Sequence, residues 1–360
     1  MSRLMLMLLV LAATLVLTGA CQQAPAVVSV SIDGPSDLAI EVGDTHELTA
    51  TITTTGGASQ ALTWTSSNPA TATVTSTGVV TGITTGDTTI TASSDFDNTK
   101  QASVTVTVVK APTEVSGIIW SDTTWALSDS PYRIVGPVQI DVTATLTIEP
   151  GVEVMGGSIQ TWGRLVAHGT PVERITFSGV EIVPGTSSSS TRYDISIDYA
   201  RITAGSTLFE PTGSGHYGTL SLRNSTVSTP LPWVYLWYPQ SDVEIERNVF
   251  ESYTRFSIGH NVAKVIIRNN HFRADGEILN WAAYGEQTVV ELNTFSDSRF
   301  RVGLSSGYTD AALTAVRNYW GTVSPPEIEE MILDRNDGLE YAGYVPYEPF
   351  LAEPHPDTPE

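Results

Sequence analysis

The sequence predicts an all-β protein in two parts, an N-terminal β-sandwich and then a parallel β-helix with a short C-terminal capping helix. Three observations predict this class. Short Thr- and Val-rich runs are separated by Gly, Asn, Pro and Asp, helical periodicity is almost absent, and a later segment repeats about every 22 residues. A chain of 360 residues is long enough for two domains.

The N-terminus has the pattern of an export signal. Arg3 precedes an apolar run over Leu4–Leu17, and small residues then lead to Cys21. A charged start and an apolar core of this length are typical of an export signal rather than a membrane span. The LTGAC ending resembles a bacterial lipobox, which implies that residues 1–20 are a lipoprotein signal peptide and that Cys21 is lipidated at the start of a tether over 21–26. Signal cleavage nearby without a lipid is the alternative.

Composition limits the partners. Cys21 is the only cysteine, so we expect no disulfide bonds in the exported chain. Eighteen Lys plus Arg against 39 Asp plus Glu argues against nucleic acid as a partner. No second apolar run is long enough to cross a bilayer, so we expect an exported cell-envelope or cell-surface protein that contacts the membrane through its lipid anchor only.

Residues 27–109 are predicted to form an antiparallel β-sandwich, because strand-like runs alternate with turn residues at short intervals. The predicted strands are Ser29–Ile32, His46–Thr53, Ala61–Ser67, Thr71–Val74, Thr88–Ser94 and Ala102–Val109.

This part resembles the bacterial Ig-like group 2 domain. The residues that carry the resemblance are LTWTSSNPATATV (Leu62–Val74), GVVTGITTGDTTITAS (Gly78–Ser93) and VTVTV (Val104–Val108). The resemblance implies a spacer or adhesive module of bacterial surface proteins without catalysis, and we expect Trp64 to lie in its core. Residues 110–113, KAPT, are predicted to be a linker.

The region 114–351 contains the internal repeat. Its four clearest copies are VEIERNVF (Val243–Phe250), VIIRNNHF (Val265–Phe272), TVVELNTF (Thr288–Phe295) and LTAVRNYW (Leu313–Trp320). Their shared asparagines stand at Asn248, Asn270, Asn293 and Asn318, in steps of 22, 23 and 25 residues, and Ser225 fits one step earlier. A step of this size matches one coil of a β-solenoid, so these asparagines are predicted to be a structural ladder that stacks from coil to coil.

The same region resembles bacterial right-handed parallel β-helix proteins. The resemblance rests on ATLTIEPGVEVMGG (Ala144–Gly157) and on NYWGTVSPPEIEEMILDRND (Asn318–Asp337), and it implies that the second segment closes the helix with a short capping helix. Residues 352–360 are predicted to form an acidic tail. Such helices occur in lyases, hydrolases and adhesins, so the fold by itself does not decide the function.

The segment TPLPWVYLWYP (Thr229–Pro239) suggests a binding face. A 22-residue step aligns Val234 and Leu236 with Phe256 and Ile258, then with Ile278 and Asn280, and then with Phe300 and Val302, all facing inward. The predicted outward ligand-binding set is Trp233, Tyr235, Trp237, Arg255, Trp281, Arg299 and Arg301. Aromatic rings stack on sugars and arginines bind anionic groups, so we predict a face for extracellular or cell-wall glycan, including acidic polysaccharide.

Two alternatives stay open. A loop such as Gly179–Arg192 could cover these rings, which would leave a structural or protein-adhesive surface element with no small ligand. Asp275, Glu277 and Asp297 lie beside the face and are weak candidates for the carboxyl groups of a polysaccharide lyase or glycoside hydrolase. No local motif fixes their geometry, and the sequence contains no zinc cluster, nucleophile elbow or phosphate loop, so no metal or cofactor is expected.

Overall fold

A computed structural model describes residues 23–185, 193–203, 218–239, 241–261, 263–283 and 288–360, without the side chains of Leu231, Pro232, Trp233, His260, Asn261 and Ala283. The predicted signal peptide and Cys21 lie outside the described residues, as do residues 186–192 of the loop Gly179–Arg192 that was considered as a cover. The chain divides into two compact units between Ala111 and Pro112. The all-β class is confirmed: the described residues contain one short α-helix.

The first unit is a β-sandwich, and its sheets have the order β2-β9-β8-β5 and β3-β7-β6, with β1 paired to β4. Its nine strands are β1 (Ala26–Asp33), β2 (Asp37–Glu41), β3 (Thr45–Glu47), β4 (Thr49–Thr55), β5 (Leu62–Ser66), β6 (Ala72–Val74), β7 (Val79–Gly82), β8 (Gly86–Ser94) and β9 (Gln101–Val109). Val80 of β7 and Val106 of β9, both fully buried, share the core between the two sheets. Trp64 is half-buried and packs against this core, as predicted.

Two details of the sandwich differ from the prediction. The pair β2–β9 is parallel, whereas the sequence predicted antiparallel strands throughout. The predicted strand His46–Thr53 is two strands, because the chain leaves the sheet of β7 and joins β1 on either side of Leu48. Leu48 is buried at this crossing and its N–H donates to the carbonyl of Gly78. The alternation of polar and apolar side chains does not indicate where a chain passes from one sheet to another, so the sequence did not predict this crossing.

The second unit is a parallel β-helix. Its strands are β10 (Thr113–Ile119), β11 (Thr123–Trp125), β12 (Tyr132–Ile140), β13 (Thr145–Ile148), β14 (Glu153–Met155), β15 (Ser158–Thr161), β16 (Arg164–His168), β17 (Ile175–Ser178), β18 (Glu181–Pro184), β19 (Tyr193–Asp198), β20 (Ala200–Thr203), β21 (Gly218–Arg223), β22 (Thr226–Val227), β23 (Leu231–Trp237), β24 (Val243–Glu246), β25 (Val249–Phe250), β26 (Thr254–Asn261), β27 (Val265–Arg268), β28 (His271–Phe272), β29 (Gly276–Ala283), β30 (Thr288–Glu291), β31 (Thr294–Phe295), β32 (Arg301–Leu304), β33 (Leu313–Thr314) and β34 (Ile332–Leu333). A 3-10 helix spans Leu127–Asp129, and α1 spans Pro325–Glu329. Thr113, which was predicted to end the linker, opens β10.

Three parallel sheets form the walls of the β-helix. The first sheet runs β12-β14-β17-β20-β22-β25-β28-β31, and the second runs β11-β13-β16-β19-β21-β24-β27-β30-β33. The third sheet runs β23-β26-β29-β32-β34. β12 is long enough to pair with β14 at one end and with β15 at the other, so β15 and β18 branch from the first sheet. The apolar residues of all three walls form one continuous core.

The four repeat asparagines line one corner of the β-helix, between the second and first sheets. Each is fully buried. The side-chain N–H groups of Asn248, Asn270 and Asn293 each donate to the amide oxygen of the next asparagine at 3.0 Å, and Asn318 ends the series. Ser225 occupies the equivalent position, or slot, one coil earlier, and its N–H donates to Asn248 Oδ1 at 3.0 Å. These bonds satisfy turn groups that no water reaches.

The residue before each slot has a left-handed backbone. These residues are Asn224, Arg247, Asn269, Leu292 and Arg317. Tyr199, which precedes Ala200 one coil earlier, continues the series, and φ lies between 49° and 58° in all six. Residues other than glycine rarely adopt this conformation, so its recurrence marks one turn repeated coil after coil. The buried ladder supplies the hydrogen bonds that hold this turn.

The C-terminal segment closes the last coil and then runs back beside this corner. Ile328 of α1 is fully buried in the core of the β-helix, so the short helix covers the end of the solenoid. The Leu351 N–H donates to the carbonyl of Asn318 at 2.9 Å, and Thr358 Oγ1 donates to the carbonyl of Leu292 at 2.9 Å. The acidic tail is therefore packed along the turns.

Candidate ligand-binding face

Strand β23 alternates as the sequence predicts. Val234 is fully buried and Leu236 is 4% exposed. Tyr235, which lies between them, and Trp237, which follows Leu236, are half-buried on the outer side. The first two steps of the predicted register are also confirmed: Val234 pairs with Phe256, and Phe256 pairs with Ile278. The aromatic side of β23 therefore lies on the outer wall of the third sheet.

Four rings follow one another across this wall, and we call Tyr235, Trp237, Trp281 and Tyr308 the aromatic row. The centroids of Tyr235 and Trp237 lie 6.5 Å apart, those of Trp237 and Trp281 lie 5.9 Å apart, and those of Trp281 and Tyr308 lie 5.4 Å apart. These separations are within the range of favourable ring–ring contact. The row is thus a continuous series of ring contacts in which neighbouring rings are tilted or edge-on to each other.

Trp237 reaches Trp281 across an intervening coil because that coil has a glycine. Trp237 pairs with Gly259, and a Cβ atom at Gly259 would lie 3.2 Å from the Trp237 ring. The register between β26 and β29 then shifts, since Ile258 pairs with Asn280 but Gly259 pairs with Ala282. Trp281 is the extra residue of this bulge, which turns its ring toward Trp237. Ser257 accepts a hydrogen bond from Trp237 Nε1 at 3.1 Å and orients the indole.

Sequence reasoning missed two rings at this site. Tyr308 comes from the segment that follows β32, where no strand periodicity exists to assign it a side. Tyr238 follows Trp237 with a left-handed φ of 54°, and its ring centroid lies 6.4 Å from that of Trp237. Trp233, predicted to belong to the face, has a described backbone in β23, and its side chain lies outside the described atoms.

Arg255 and Glu277 form an ion pair beside the row. They lie opposite each other in β26 and β29, and their side chains are 19% and 22% exposed. Parallel neighbours in a sheet are about 4.8 Å apart, so a salt bridge between them is the expected contact. Arg255 is therefore partly neutralised within the protein.

The third step of the predicted register is wrong. Ile278 pairs with Val302 and Asn280 with Leu304, so Glu277 lies opposite Arg301, and not opposite Arg299 as predicted. The coil is two residues longer here, because Asp297 and Arg299 belong to an extra turn in which the Phe300 N–H donates to the carbonyl of Asp297. Phe300 still faces inward, fully buried, but outside the column of Ile278.

The two remaining arginines are engaged by groups of this turn. Arg299 contacts Asp297 at 2.6 Å and Asp275 at 3.5 Å. Arg301 Nη1 donates to the carbonyl of Ser298 at 2.9 Å and to that of Phe300 at 3.2 Å. Anionic ligands would have to compete with these contacts.

The candidate catalytic carboxyl groups are likewise held in ion pairs. The hydrogen bond from Arg299 lowers the pKa of Asp297 below its usual value. A general acid at neutral pH needs a raised pKa, and this carboxyl has the opposite shift. Asp275 and Asp297 thus fix Arg299, while Glu277 binds Arg255.

Neither a metal cluster nor a membrane span is found in the part of the chain that the structure describes. Within those residues no three His, Cys, Asp or Glu side chains are grouped so that they could hold a metal ion. In the same residues no helix has both the length and the apolar character to cross a membrane.

Comparison with known proteins identifies the first unit. Residues 26–108 match the family model of the bacterial Ig-like domain (group 2), so this part of the chain is a domain of that family. No curated protein matches the chain. Domains of this family occur in bacterial surface proteins, and an Ig-like domain followed by a β-helix fits a surface-type protein.

Proposed function

We propose that this surface-type protein binds uncharged extracellular or cell-wall glycan through the aromatic row of its β-helix, with the Ig-like domain as its spacer. The observation that carries the proposal is the continuous series of ring contacts that Tyr235, Trp237, Trp281 and Tyr308 form. Apolar faces of sugar rings stack on aromatic rings, and the strands fix Tyr235, Trp237 and Trp281 before the ligand arrives. All four rings are half-buried, so part of each is exposed to solvent.

The charges beside the row favour an uncharged glycan over the acidic one that the sequence suggested. Arg255 is paired with Glu277, and Arg299 with Asp297 and Asp275. Each arginine would have to leave a carboxylate or a backbone carbonyl to bind an anionic sugar. The chain as a whole has a net charge of −21, which also disfavours polyanions.

A binding assay with matched variants tests the proposal. We expect the soluble protein to bind at least one neutral polysaccharide of an immobilised panel, and Trp237→Ala to weaken that binding about tenfold or more, as expected for the loss of one stacking ring. Trp237→Phe keeps a ring and should lose less. Trp120→Ala is the control, because Trp120 is 68% exposed and lies outside the third sheet. Unchanged binding by a folded Trp237→Ala variant would overturn the proposal.

The same incubation tests the alternatives. Reducing ends or unsaturated products that Glu277→Gln abolishes would replace the binding role by a glycoside hydrolase or polysaccharide lyase. Absence of binding to every glycan of the panel would favour a structural or protein-adhesive surface element.

We also infer that the chain is exported and anchored through a lipid on Cys21. The support is the LTGAC segment after an apolar run in the N-terminal sequence. Incorporation of labelled palmitate in a bacterial host, lost in Cys21→Ser, is the expected result. Export without label would leave ordinary signal cleavage.

A further inference from the structure

A second cleft, separate from the aromatic row, lies on the strands β10, β12 and β15. It has a volume of about 290 Å³ and is lined by Trp120, Trp162, Asp141 and Gln139, with Ile118 and Val142 at its apolar edge. None of the residues that line it carries a positive charge. Two indoles, one carboxylate and aliphatic groups therefore share one small concave site.

The backbone brings Trp120, Asp141 and Trp162 into one column. Ile119 pairs with Ile140, and Ile140 pairs with Thr161. The hydrogen bonds continue past these pairs, since the Asp141 N–H donates to the carbonyl of Ile119 at 3.0 Å and the Trp162 N–H to that of Ile140 at 3.0 Å. Neighbouring coils are about 4.8 Å apart, so Asp141 is flanked by one tryptophan on the coil before it and one on the coil after it.

The two indoles differ in how they are held. Trp162 is half-buried and lies over Gly185 of the next coil, where a Cβ atom would come within 2.5 Å of the ring. Gly185 continues the column, because its N–H donates to the carbonyl of Thr161 at 2.7 Å. Trp120, in contrast, is 68% exposed. One wall of the cleft is therefore fixed and the other is an exposed aromatic surface.

The polar groups of the cleft are partly occupied by the protein itself. Asp141 Oδ1 accepts hydrogen bonds from the Thr143 N–H at 3.1 Å and from its hydroxyl at 2.9 Å, which fixes the carboxylate. Gln139 Nε2 donates to Gln160 Oε1 at 3.2 Å. The negative charge of Asp141 is balanced by no cation in the lining.

We propose that this cleft binds an alkylated ammonium cation, of which the trimethylammonium group is the simplest form. Indole faces attract cations, and desolvation by two rings strengthens that attraction. The carboxylate supplies the counter-charge, and methyl groups on nitrogen fit the aliphatic edge without needing hydrogen-bond acceptors. The net charge of −21 favours the approach of cations.

Choline and its uncharged isostere 3,3-dimethylbutan-1-ol are the probes, because they have the same shape and differ in charge. Isothermal titration calorimetry of the full chain at constant ionic strength should show choline binding about three- to tenfold tighter than the isostere, in line with cation–π contacts to one exposed and one half-buried ring beside a carboxylate. Equal affinity for the two probes, or no binding of choline, would overturn the proposal.

Variants assign the site. Asp141→Asn keeps the Oδ1 acceptor for Thr143 and removes the charge, so choline binding should weaken and its preference over the isostere should fall to what the two indoles supply, while the fold is kept. Trp120→Ala should also weaken choline binding. Asp122→Asn is the matched control, since Asp122 accepts a hydrogen bond from the Thr145 N–H in the same region and does not line the cleft. Loss of choline binding in Asp122→Asn, or undiminished choline binding in Asp141→Asn, would contradict the assignment.

Two further arms complete the experiment. Sedimentation with phosphatidylcholine vesicles distinguishes two sources of the ligand. If the protein sediments with the vesicles and free choline prevents this, the ligand is a lipid headgroup. If the protein binds choline but does not sediment with the vesicles, the ligand is a free solute. Trp237→Ala should leave choline binding unchanged. Failure of glycan binding and failure of choline binding are therefore observed independently.

Discussion

At the scale of single residues, each asparagine of the ladder makes several buried hydrogen bonds. Asn270 Nδ2 donates to the carbonyl of Ile245 at 2.8 Å and to Asn293 Oδ1 at 3.0 Å. Its Oδ1 accepts from the N–H and the Nδ2 of Asn248, both at 3.0 Å. All of these atoms are buried, so no water can replace the amide if it is removed.

We expect Asn270→Ala to lower the free energy of unfolding of the β-helix by about 3 kcal/mol or more, because at least two buried backbone groups lose their partner. Asn270→Ser should be less destabilising, since Ser225 occupies the same slot and still bonds the neighbouring coil. Denaturant unfolding measures both variants. Equal stability of Asn270→Ala and wild type would show that the ladder contributes little.

The ion pair between Asp297 and Arg299 gives an expectation on pH. The hydrogen bond from Arg299 lowers the pKa of Asp297, so Arg299→Gln should return that pKa toward 3.8. Because the folded-state pKa is the lower one, this carboxylate stabilises the fold above its unfolded pKa, and the contribution is lost as the pH falls through the folded pKa. Carboxyl NMR titration of Asp297 in both proteins measures the shift; Arg301→Gln should change it less, since Arg301 is the smallest cause of the lowering.

At the scale of elements, an aromatic stack fills the corner beside the ladder. The centroids of Phe250 and Phe272 lie 4.9 Å apart, those of Phe272 and Phe295 lie 5.2 Å apart, and those of Phe295 and Trp320 lie 4.9 Å apart. Each ring comes two residues after a ladder asparagine. The Asn-x-Phe and Asn-x-Trp endings recur in each of the four clearest repeats, and this recurrence brings the rings to the same corner.

We expect Phe272→Ala to destabilise the β-helix by about 3–5 kcal/mol, since the ring is 1% exposed and its removal leaves a cavity between two rigid neighbours. Phe272→Leu should lose less, because it refills most of that volume. Thermal unfolding in the presence of denaturant compares the two. A smaller loss for the alanine variant than for the leucine variant would contradict a tightly packed corner.

At the scale of the whole molecule, the two units have separate hydrophobic cores. Val106 belongs to the core of the Ig-like domain, and Phe272 belongs to that of the β-helix. A cavity weakens the core that contains it. We therefore expect Val106→Ala to speed amide hydrogen exchange mainly in residues 26–108, and Phe272→Ala mainly in the β-helix. Mass spectrometry of peptic fragments resolves the two regions, and a uniform response of the whole chain would show that they unfold together.

The pairing register of the strands in the third sheet could be predicted only where successive coils had the same number of residues. The 22-residue step held from Val234 to Ile278 and failed at Val302, where Asp297 and Arg299 build an extra turn. Inserted turn residues are polar and follow no period, so the sequence gives no warning of them. The position of Arg301 opposite Glu277 could be known only from the paired strands.

By itself, the sequence determined the all-β class, the Ig-like domain, the β-helix architecture and the inward residues of β23. These features follow from the burial of apolar side chains, and the alternation and repetition of apolar residues can be read directly from the sequence. The tertiary structure alone decided which outward groups meet. Trp237 reaches Trp281 because Gly259 leaves the space and a bulge turns the ring, and Trp120 joins Asp141 and Trp162 only through the stacking of coils. Contacts between side chains distant in sequence depend on coil lengths and bulges, which no local periodicity encodes.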